Sequence, residues 1–470
     1  IPFIMQISSE HPVTITKRTP DKVKIIFFIE YLLILRRNGI SEIILFPAPF
    51  TIYTKTRERN NTKSEKIFGN FSDKINLWYT YREIEKNYRS DIILDIEKTL
   101  PRACKNQRFV RKLPNNHRRR TIMPKFLIID GSSMLSTSYY GNLPKSILFA
   151  KTDEEKERHY PEILHTSDGK YTNAMFTMLR TLLAVYKKVK PEYVAFTFDM
   201  TRDTFRRTQL GADFYKANRK ETAQPLKEQF VQMEELLKVI GCPVFMSQDY
   251  EADDYAASLV EKFQGPDLQT YVLTKDHDYF QLVSEYTRMW RVVTKDKLEN
   301  LKDAYGLFGK DAYEELPSNV FEYTPEIVCS EEGVYPEQIP VLLAITGDPG
   351  DGIPGCKGVS SAAAPLVAEY KTLDAIYEAI EDCEGVAKKE KELNTFWKEN
   401  LGIGRSPLKA LKTNKEMVYL SEQLATMKRD IEIKESLEDM RLHINTEELI
   451  RQLKRYEMNS IVTEYEKISK

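Results

Sequence analysis

The sequence predicts an α/β fold in which helices flank a mostly parallel sheet. Three segments have the apolar, β-branched and aromatic composition of buried strands, namely KFLIID (125–130), EYVAFTFD (192–199) and QTYVLTKD (269–276). Helical patterns lie between them, including AMFTMLRTLLAVYKKV and PLKEQFVQMEELLKVI, and Gly241 ends the second. Alternation of strands with helices is typical of a parallel sheet.

Length and composition bound the class of protein. A chain of 470 residues can hold two or three domains. The five cysteines lie far apart without a CxxC pair, which argues against a disulfide framework or a zinc site and favours a reducing, cytoplasmic location. The most apolar run, IIFFIEYLLIL, contains Glu30 and is too short to span a bilayer, so we expect no membrane partner.

The first 122 residues differ from the remainder of the chain. They contain 24 Lys and Arg against 12 Asp and Glu, and Met123 stands directly before the first strand pattern. One interpretation is upstream sequence read as protein, with Met123 as the natural start. The other is a basic extension that binds nucleic acid through phosphate contacts. We therefore predict this extension, a catalytic core over 123–325 and a helical region over 326–470.

Carboxylates cluster after the predicted strands. In open α/β sheets, ligands bind beyond the carboxyl ends of the strands. Strand ends, the stretch DYEADD after a fourth short strand, and the loops TKDHD and TGDPGDGIPG together supply Asp130, Asp199, Glu251, Asp253, Asp254, Asp276, Asp278, Asp348 and Asp351. For DYEADD alone, a solvated helix start is an equally good interpretation. The whole oxygen-only set favours Mg²⁺ or Mn²⁺ over zinc, in a site with two ions about 3.5–4 Å apart.

These motifs, in this order, resemble the 5′-nuclease family, which includes the 5′-to-3′ exonuclease domain of bacterial DNA polymerase I and the flap endonucleases. The resemblance rests on FLIIDG, FTFD, YEADD, LTKDHDYFQLVS and ITGDPGDGIPGCKG. It covers residues 123 to about 440. It implies a PIN-like core, a helical arch, a C-terminal helix-hairpin-helix subdomain and a stand-alone exonuclease without a polymerase domain.

The resemblance also implies roles for individual residues. The first ion would be held by Asp130, Asp199, Glu251, Asp253 and Asp254, and the second by Asp276, Asp278, Asp348 and Asp351. Water would attack the phosphodiester, leaving a 5′-phosphate and a 3′-hydroxyl. The arch would be residues 201–221, where Lys216 and Arg219 stabilise the reacting phosphate and Arg206 and Tyr215 contact DNA. Without the family, this segment would be interpreted as a solvated basic helix.

The segment PGCKGVS resembles the hairpin that holds duplex DNA by backbone amides, often around a monovalent cation such as K⁺. Its matching residues are Gly355, Lys357 and Gly358. The sequence departs from the family at Ser360, Ala362 and Ala363, where the family usually has Gly, Lys and Thr. Because Pro365 follows, we expect the helix to begin later and duplex binding to be weak.

The predicted function is a monomeric, metal-dependent 5′-to-3′ exonuclease or flap endonuclease, acting on DNA with 5′ ends or flaps and on RNA–DNA primers in replication and repair. Two alternatives remain open, namely a branch-binding protein with decayed nuclease activity and a related metal-dependent ribonuclease. A 5′-labelled flap substrate, with and without Mg²⁺, separates the three. We assign no function to the insertion over 296–330.

Overall fold

The structure is a computed structural model that describes residues 3–6, 41–45, 51–58, 61–68, 123–305 and 316–468. The chain divides into two compact units, Ile1–Arg111 and Lys112–Lys470. The prediction of a basic extension over 1–122 lies mostly outside the described residues. Within them, no helix has the length and apolar character needed to cross a membrane.

The first unit contains an antiparallel sheet of four strands. These strands are β1 (Phe3–Gln6), β2 (Ser41–Leu45), β3 (Thr51–Glu58) and β4 (Asn61–Phe68). They pair in chain order, and β3 and β4 form a hairpin in which Glu58 lies opposite Asn61. The sequence analysis predicted no strands here.

The second unit is built on a six-stranded sheet. Its strands are β5 (Lys125–Asp130), β6 (Tyr193–Thr197), β7 (Val244–Phe245), β8 (Gln269–Leu273), β9 (Thr287–Val292) and β10 (Val320–Tyr323). Their order across the sheet is β10-β9-β8-β5-β6-β7. All neighbours are parallel except β10, which pairs antiparallel with β9. The predicted mostly parallel sheet is therefore confirmed.

Helices surround this sheet and continue to the carboxyl end of the described chain. They are α1 (Gly131–Tyr140), α2 (Lys145–Phe149), α3 (Asp153–Arg158), α4 (Asn173–Val189), α5 (Phe205–Thr208), α6 (Gln224–Val239), α7 (Ala252–Phe263), α8 (Lys295–Ala304), α9 (Pro325–Glu332), α10 (Ile339–Thr346), α11 (Ser360–Tyr370), α12 (Leu373–Glu381), α13 (Ala387–Asn400), α14 (Leu408–Thr413), α15 (Lys415–Ala425), α16 (Thr446–Arg455) and α17 (Asn459–Ile468). Short 3-10 helices lie at Tyr160–Glu162, His277–Leu282, Pro336–Gln338 and Leu437–Met440. The last two helices, α16 and α17, are separated near Glu457, whose φ is +57°.

The core lies on both faces of the sheet because side chains alternate along each strand. In β5, Phe126 and Ile128 join one apolar cluster, whereas Leu127 and Ile129 join the other. All four are buried. Strands buried on both faces need a nearly continuous apolar sequence, which is why the run KFLIID correctly predicts the buried strand β5.

Two segments differ from expectation. Residues 201–221 contain one short helix, α5, followed by turns, so the helical arch implied by the resemblance is not a continuous helix here. In the insertion over 296–330, the described residues complete α8, form the edge strand β10 and begin α9. The insertion therefore adds an antiparallel edge strand to the mostly parallel sheet.

Candidate metal and nucleic-acid site

The sheet order brings the predicted acidic segments to one edge. Strands β8, β5, β6 and β7 are neighbours and run in the same direction, so their carboxyl ends lie side by side. Asp130 is the last residue of β5, while Asp199 and Asp276 follow β6 and β8 within a few residues. The stretch after β7 leads into α7, which begins at Ala252.

Asp130 is held firmly at this edge. It accepts hydrogen bonds from the Ser133 amide at 2.9 Å and from the Thr274 hydroxyl at 2.8 Å. The pKa of Asp130 is raised to about 7, mainly by burial and also by the neighbouring charge of Asp199, in spite of the Ser133 bond. Burial disfavours the charged carboxylate, and a nearby cation would favour it.

Asp199 and Asp253 complete a first group with Asp130. The Ala252 amide, at the start of α7, donates to Asp199 at 2.9 Å and so ties β6 to this helix. Burial raises the pKa of Asp253 well above its usual range, and the adjacent charge of Asp254 adds to the shift. The three carboxylates that we call the first group come from different elements: Asp130 ends β5, Asp199 follows β6, and Asp253 lies in the first turn of α7.

A second group consists of Asp278, Asp348 and Asp351. One carboxylate oxygen from each lies within 4.8 Å of the others, close enough to share an ion. Burial, then the charges of Asp276 and Asp351, raise the pKa of Asp278 well above its usual range. Asp276 lies beside this group and accepts a 3.0 Å hydrogen bond from the Asp278 amide.

The loop of the second group depends on backbone geometry that only glycine tolerates. Asp348 and Ile353 exchange two backbone hydrogen bonds, of 2.9 and 2.8 Å, which turn the loop back on itself. Gly347 has φ +73°, and a Cβ there would meet the Ile353 carbonyl oxygen at 2.7 Å. The Gly-rich sequence is therefore what lets Asp348 and Asp351 converge.

Three of the nine predicted ligands are already engaged by cations. Asp254 is fully buried and receives two hydrogen bonds from Arg206, at 2.7 and 2.8 Å. The Lys428 amide also donates to it, at 2.8 Å. The two side chains neutralise each other in the interior, and the metal role of Asp254 and the DNA-binding role of Arg206 stay predictions.

Glu251 and Asp351 contact the two predicted catalytic cations. The Lys216 ammonium lies 2.5 Å from Glu251 and 3.4 Å from Asp351, and the Arg219 guanidinium pairs with Asp351. Burial alone would raise the pKa of Glu251, but Lys216 and Arg206 outweigh it and hold that pKa at about 2. Lys216 adopts φ +53°, and its amide donates to the Asp351 carbonyl at 2.7 Å.

Tyr215 does not reach solvent. Its ring is buried, and its hydroxyl donates to Glu251 at 3.2 Å and to Asp351 at 3.4 Å. Stacking on an unpaired base, which the resemblance implies, is therefore not available to Tyr215. Phe214, the preceding residue, is 39% exposed on the same turn, and the sequence analysis did not single it out.

The hairpin segment is divided between interior and surface. Gly355 is buried, and a Cβ there would lie 2.3 Å from the Gly347 amide nitrogen, so glycine is needed for packing here, and its DNA contact stays a prediction. Lys357 and Gly358 are exposed, and Gly358 has φ +80° with open space around its Cα. These two residues form the exposed turn that precedes α11.

The expected late start of α11 is wrong. The helix begins at Ser360, directly after this turn, and Pro365 lies inside it. Ala362 and Ala363 are buried, so they fill space against the core. Small side chains are therefore required at these two positions in this packing, whatever the family usually has there.

Two threonines that the sequence analysis missed support the carboxylates. Thr274 donates to Asp130, and the buried Thr204 donates to Glu251 at 3.0 Å. The available signal for Thr274 was a hydroxyl residue directly after an apolar strand. No local signal marks Thr204, because its partner lies 47 positions away in the chain.

The remaining carboxylates fit a divalent cation. Among the described residues, six of the nine have no ion-pair partner: Asp130, Asp199, Asp253, Asp276, Asp278 and Asp348. Close like charges without a cation repel each other. Their donor atoms are all carboxylate oxygens, which Mg²⁺ and Mn²⁺ prefer.

Comparison with known families agrees with this geometry. Residues 125–306 match the family model described as "5'-3' exonuclease, N-terminal resolvase-like domain". Residues 334–448 match the one described as "5'-3' exonuclease, C-terminal SAM fold". Together the two matches include both carboxylate groups, the turn with Lys216 and the hairpin segment.

The individual relatives are DNA polymerases I and a 5'-3' exonuclease. A DNA polymerase I of Caldicellulosiruptor bescii is 30% identical over 72% of this chain and 33% of its own length. A 5'-3' exonuclease of Aquifex aeolicus is 29% identical over 74% of this chain and 96% of its own. A solved structure of T5 5'-exonuclease with bound divalent metal ions (zinc) covers 73% of this chain and 98% of its own, at 16% identity and a TM-score of 0.41.

The extent of these matches differs between the relatives. The chain spans about a third of the length of the DNA polymerase I relatives that it matches first. It spans nearly the whole of the Aquifex protein. With both family models matched in order, the chain belongs to the 5'-3' exonuclease family.

Proposed function

We propose that the chain is a divalent-metal-dependent 5′-to-3′ exonuclease or flap endonuclease. It hydrolyses phosphodiesters of DNA, and of RNA primers, at 5′ ends or branches during replication and repair. The proposed cofactors are two Mg²⁺ or Mn²⁺ ions, and we propose a monomeric, cytoplasmic protein.

The observation that carries this proposal is a set of six carboxylates at one edge of the sheet that have no ion-pair partner within the described part of the chain. A folded protein normally pairs such charges or leaves them dispersed. Here they are concentrated where α/β proteins bind ligands. A decayed nuclease that only bound branches would have no need to retain this concentration of charge.

The proposed ligands of one ion are Asp130, Asp199 and Asp253, and those of the other are Asp278, Asp348 and Asp351, with Asp276 beside them. Bound ions would neutralise the charge of the phosphate and lower the pKa of a water molecule that they bind. The chain's own residues fix the carboxylates, through the Thr274 bond to Asp130 and the Ala252 bond to Asp199.

Lys216 and Arg219 are proposed to stabilise the negative charge that grows on the reacting phosphate. Both are anchored by carboxylates of the site, so their cationic groups stay at the edge where a phosphate would bind. We assign Glu251 to holding Lys216, because both of its oxygens already accept hydrogen bonds. Asp351 is shared between Arg219 and the second group.

The exposed turn with Lys357 and Gly358 is the proposed duplex contact. Its open space would let a phosphate approach the backbone, and the lysine supplies a positive charge. We also propose that a K⁺ ion binds at this turn. Such contacts position DNA without reading its sequence.

The test is cleavage of a 5′-labelled flap duplex by the full chain, with Mg²⁺, with Mn²⁺ and with excess EDTA. We expect short 5′ products in both metals and none in EDTA. A matched RNA–DNA substrate tests primer removal. Cleavage in EDTA would contradict the metal assignment, and binding without cleavage in either metal would favour the branch-binding alternative.

A further inference from the structure

Tyr279 has a buried hydroxyl group that the proposed mechanism does not use. Its side chain is 1% exposed, and among the described residues its hydroxyl has no hydrogen-bond partner. It follows Asp278 in the 3-10 helix His277–Leu282. Its ring packs in the apolar cluster that contains Phe126, Ala256 and Ala257.

The surroundings of this hydroxyl are acidic. Burial raises the pKa of the Tyr279 phenol, and the charges of Asp130, Asp253, Asp199 and Asp276 raise it further. The first three of these carboxylates are the first group. The packing agrees: Phe126 and Ala256, which share the apolar cluster of Tyr279, lie on β5 and α7, and these two elements carry Asp130 and Asp253.

An unpartnered buried hydroxyl lowers stability, and phenylalanine would fill the same space without that cost. Phe280, the next residue, does so in the same cluster. A phenolic O–H is a good donor to carboxylate or water oxygen. Apolar packing alone therefore does not explain a tyrosine at position 279.

We propose that Tyr279 is a positioning residue of the first group. When a divalent ion is held by Asp130, Asp199 and Asp253, the Tyr279 hydroxyl donates a hydrogen bond to an oxygen of that group or to a water molecule that it holds. This bond orients the group and raises its affinity for the ion. The inference rests on the proposed function, since it requires that the group binds a divalent ion.

The test uses Tyr279→Phe in the full chain, with Mn²⁺ binding measured by electron paramagnetic resonance and thermal unfolding measured in EDTA and in Mn²⁺. Both proteins also carry Asp348→Asn, which weakens the second group and isolates the first. We expect the melting temperature in EDTA to stay the same or rise. We expect Mn²⁺ affinity to fall about tenfold, because outer hydrogen-bond partners of metal sites typically contribute 10- to 100-fold.

The matched control is Thr270→Val. Thr270 is also buried, and its hydroxyl has no partner in the described ranges, but it lies near the amino end of β8, at the opposite end of the strand from the carboxylates. This substitution should change unfolding alone and leave Mn²⁺ affinity unaltered. The control therefore separates the loss of a buried hydroxyl from the loss of one at the site.

Each result is decisive. Unchanged Mn²⁺ affinity in Tyr279→Phe would overturn the inference while leaving the nuclease proposal intact. A lower melting temperature in EDTA would mean that the hydroxyl has a partner in the metal-free protein, which also overturns it. If the parent protein, without Tyr279→Phe, binds no Mn²⁺, the proposed function itself fails.

Discussion

The ammonium group of Lys216 lies 2.5 Å from a carboxylate oxygen of Glu251, and Glu251 is buried. The two residues come from different parts of the chain, the turn after α5 and the start of α7. The proposed catalytic cation Lys216 is therefore anchored by Glu251, which the sequence motif predicts to be a metal ligand. This contact leads to the first prediction.

Lys216→Met should lower both stability and cleavage. Removing one partner of a buried ion pair leaves an uncompensated charge, which costs about 3 kcal/mol of unfolding free energy. Adding Glu251→Gln should recover part of that loss, because the second charge is removed as well. Single-turnover cleavage should stay slow in both variants, measured beside urea unfolding. Cleavage that recovers together with stability would mean that Lys216 acts only through the fold.

Neighbouring aspartates should behave in opposite ways. Asp254→Asn should destabilise the protein by about 3 kcal/mol, because Arg206 would lose its buried partner. Asp253→Asn should keep or increase stability in EDTA, since burial and Asp254 already disfavour its charge. Asp253→Asn should nevertheless abolish metal-dependent cleavage. Thermal unfolding and flap cleavage of the two variants test this, and equal destabilisation would contradict the assignment of Asp254 to structure.

Phe214 should contact the unpaired strand. It is exposed on the turn that carries Lys216, and stacking on a base is typically measured at 1–3 kcal/mol by alanine substitution. Phe214→Ala should therefore weaken single-strand binding about tenfold, and Phe214→Trp should not. A series of substrates, each with one abasic nucleotide, provides the control. On the substrate that lacks the stacked base, wild type and Phe214→Ala should bind equally. A deficit that persists on every substrate would exclude stacking.

Lys357→Ala should weaken duplex binding through the loss of one phosphate contact. Dissociation constants over a KCl series should give a log–log slope smaller by about 0.9. Lys388→Ala is the matched control, because Lys388 is an exposed lysine on α13 and its substitution removes the same charge. If both variants change the slope equally, only net charge matters and the turn does not contact DNA.

Ser360→Gly should tighten duplex binding, whereas Ala362→Lys should destabilise the fold. Ser360 is exposed at the start of α11, so removing its side chain gives a phosphate closer access to the backbone. Ala362 is buried, so a lysine there must displace packed neighbours. Duplex affinity and unfolding of the two single variants test this. Tighter binding by Ala362→Lys at unchanged stability would contradict the packing role of Ala362.

Local sequence accounts for much of the architecture. Continuous apolar runs such as KFLIID predicted the central strands, because a strand buried on both faces carries few polar residues. The amphipathic pattern predicted α4 and α6 to within a residue or two. Strands β9 and β10 were both missed: β9 contains two arginines, and an edge strand such as β10 needs no continuous apolar run.

The sequence by itself determined that acids follow successive parallel strands, and chain direction alone then brings them to one edge of the sheet. It did not determine which acids are free. Asp253 and Asp254 are chemically identical neighbours, but the step of one residue along α7 turns Asp254 toward Arg206, from which it is separated by 48 positions in the chain. The same holds for Tyr215 and Phe214, of which one is buried and the other exposed. Only the tertiary structure decided these roles, because pairing and burial depend on contacts between distant segments that no local pattern encodes.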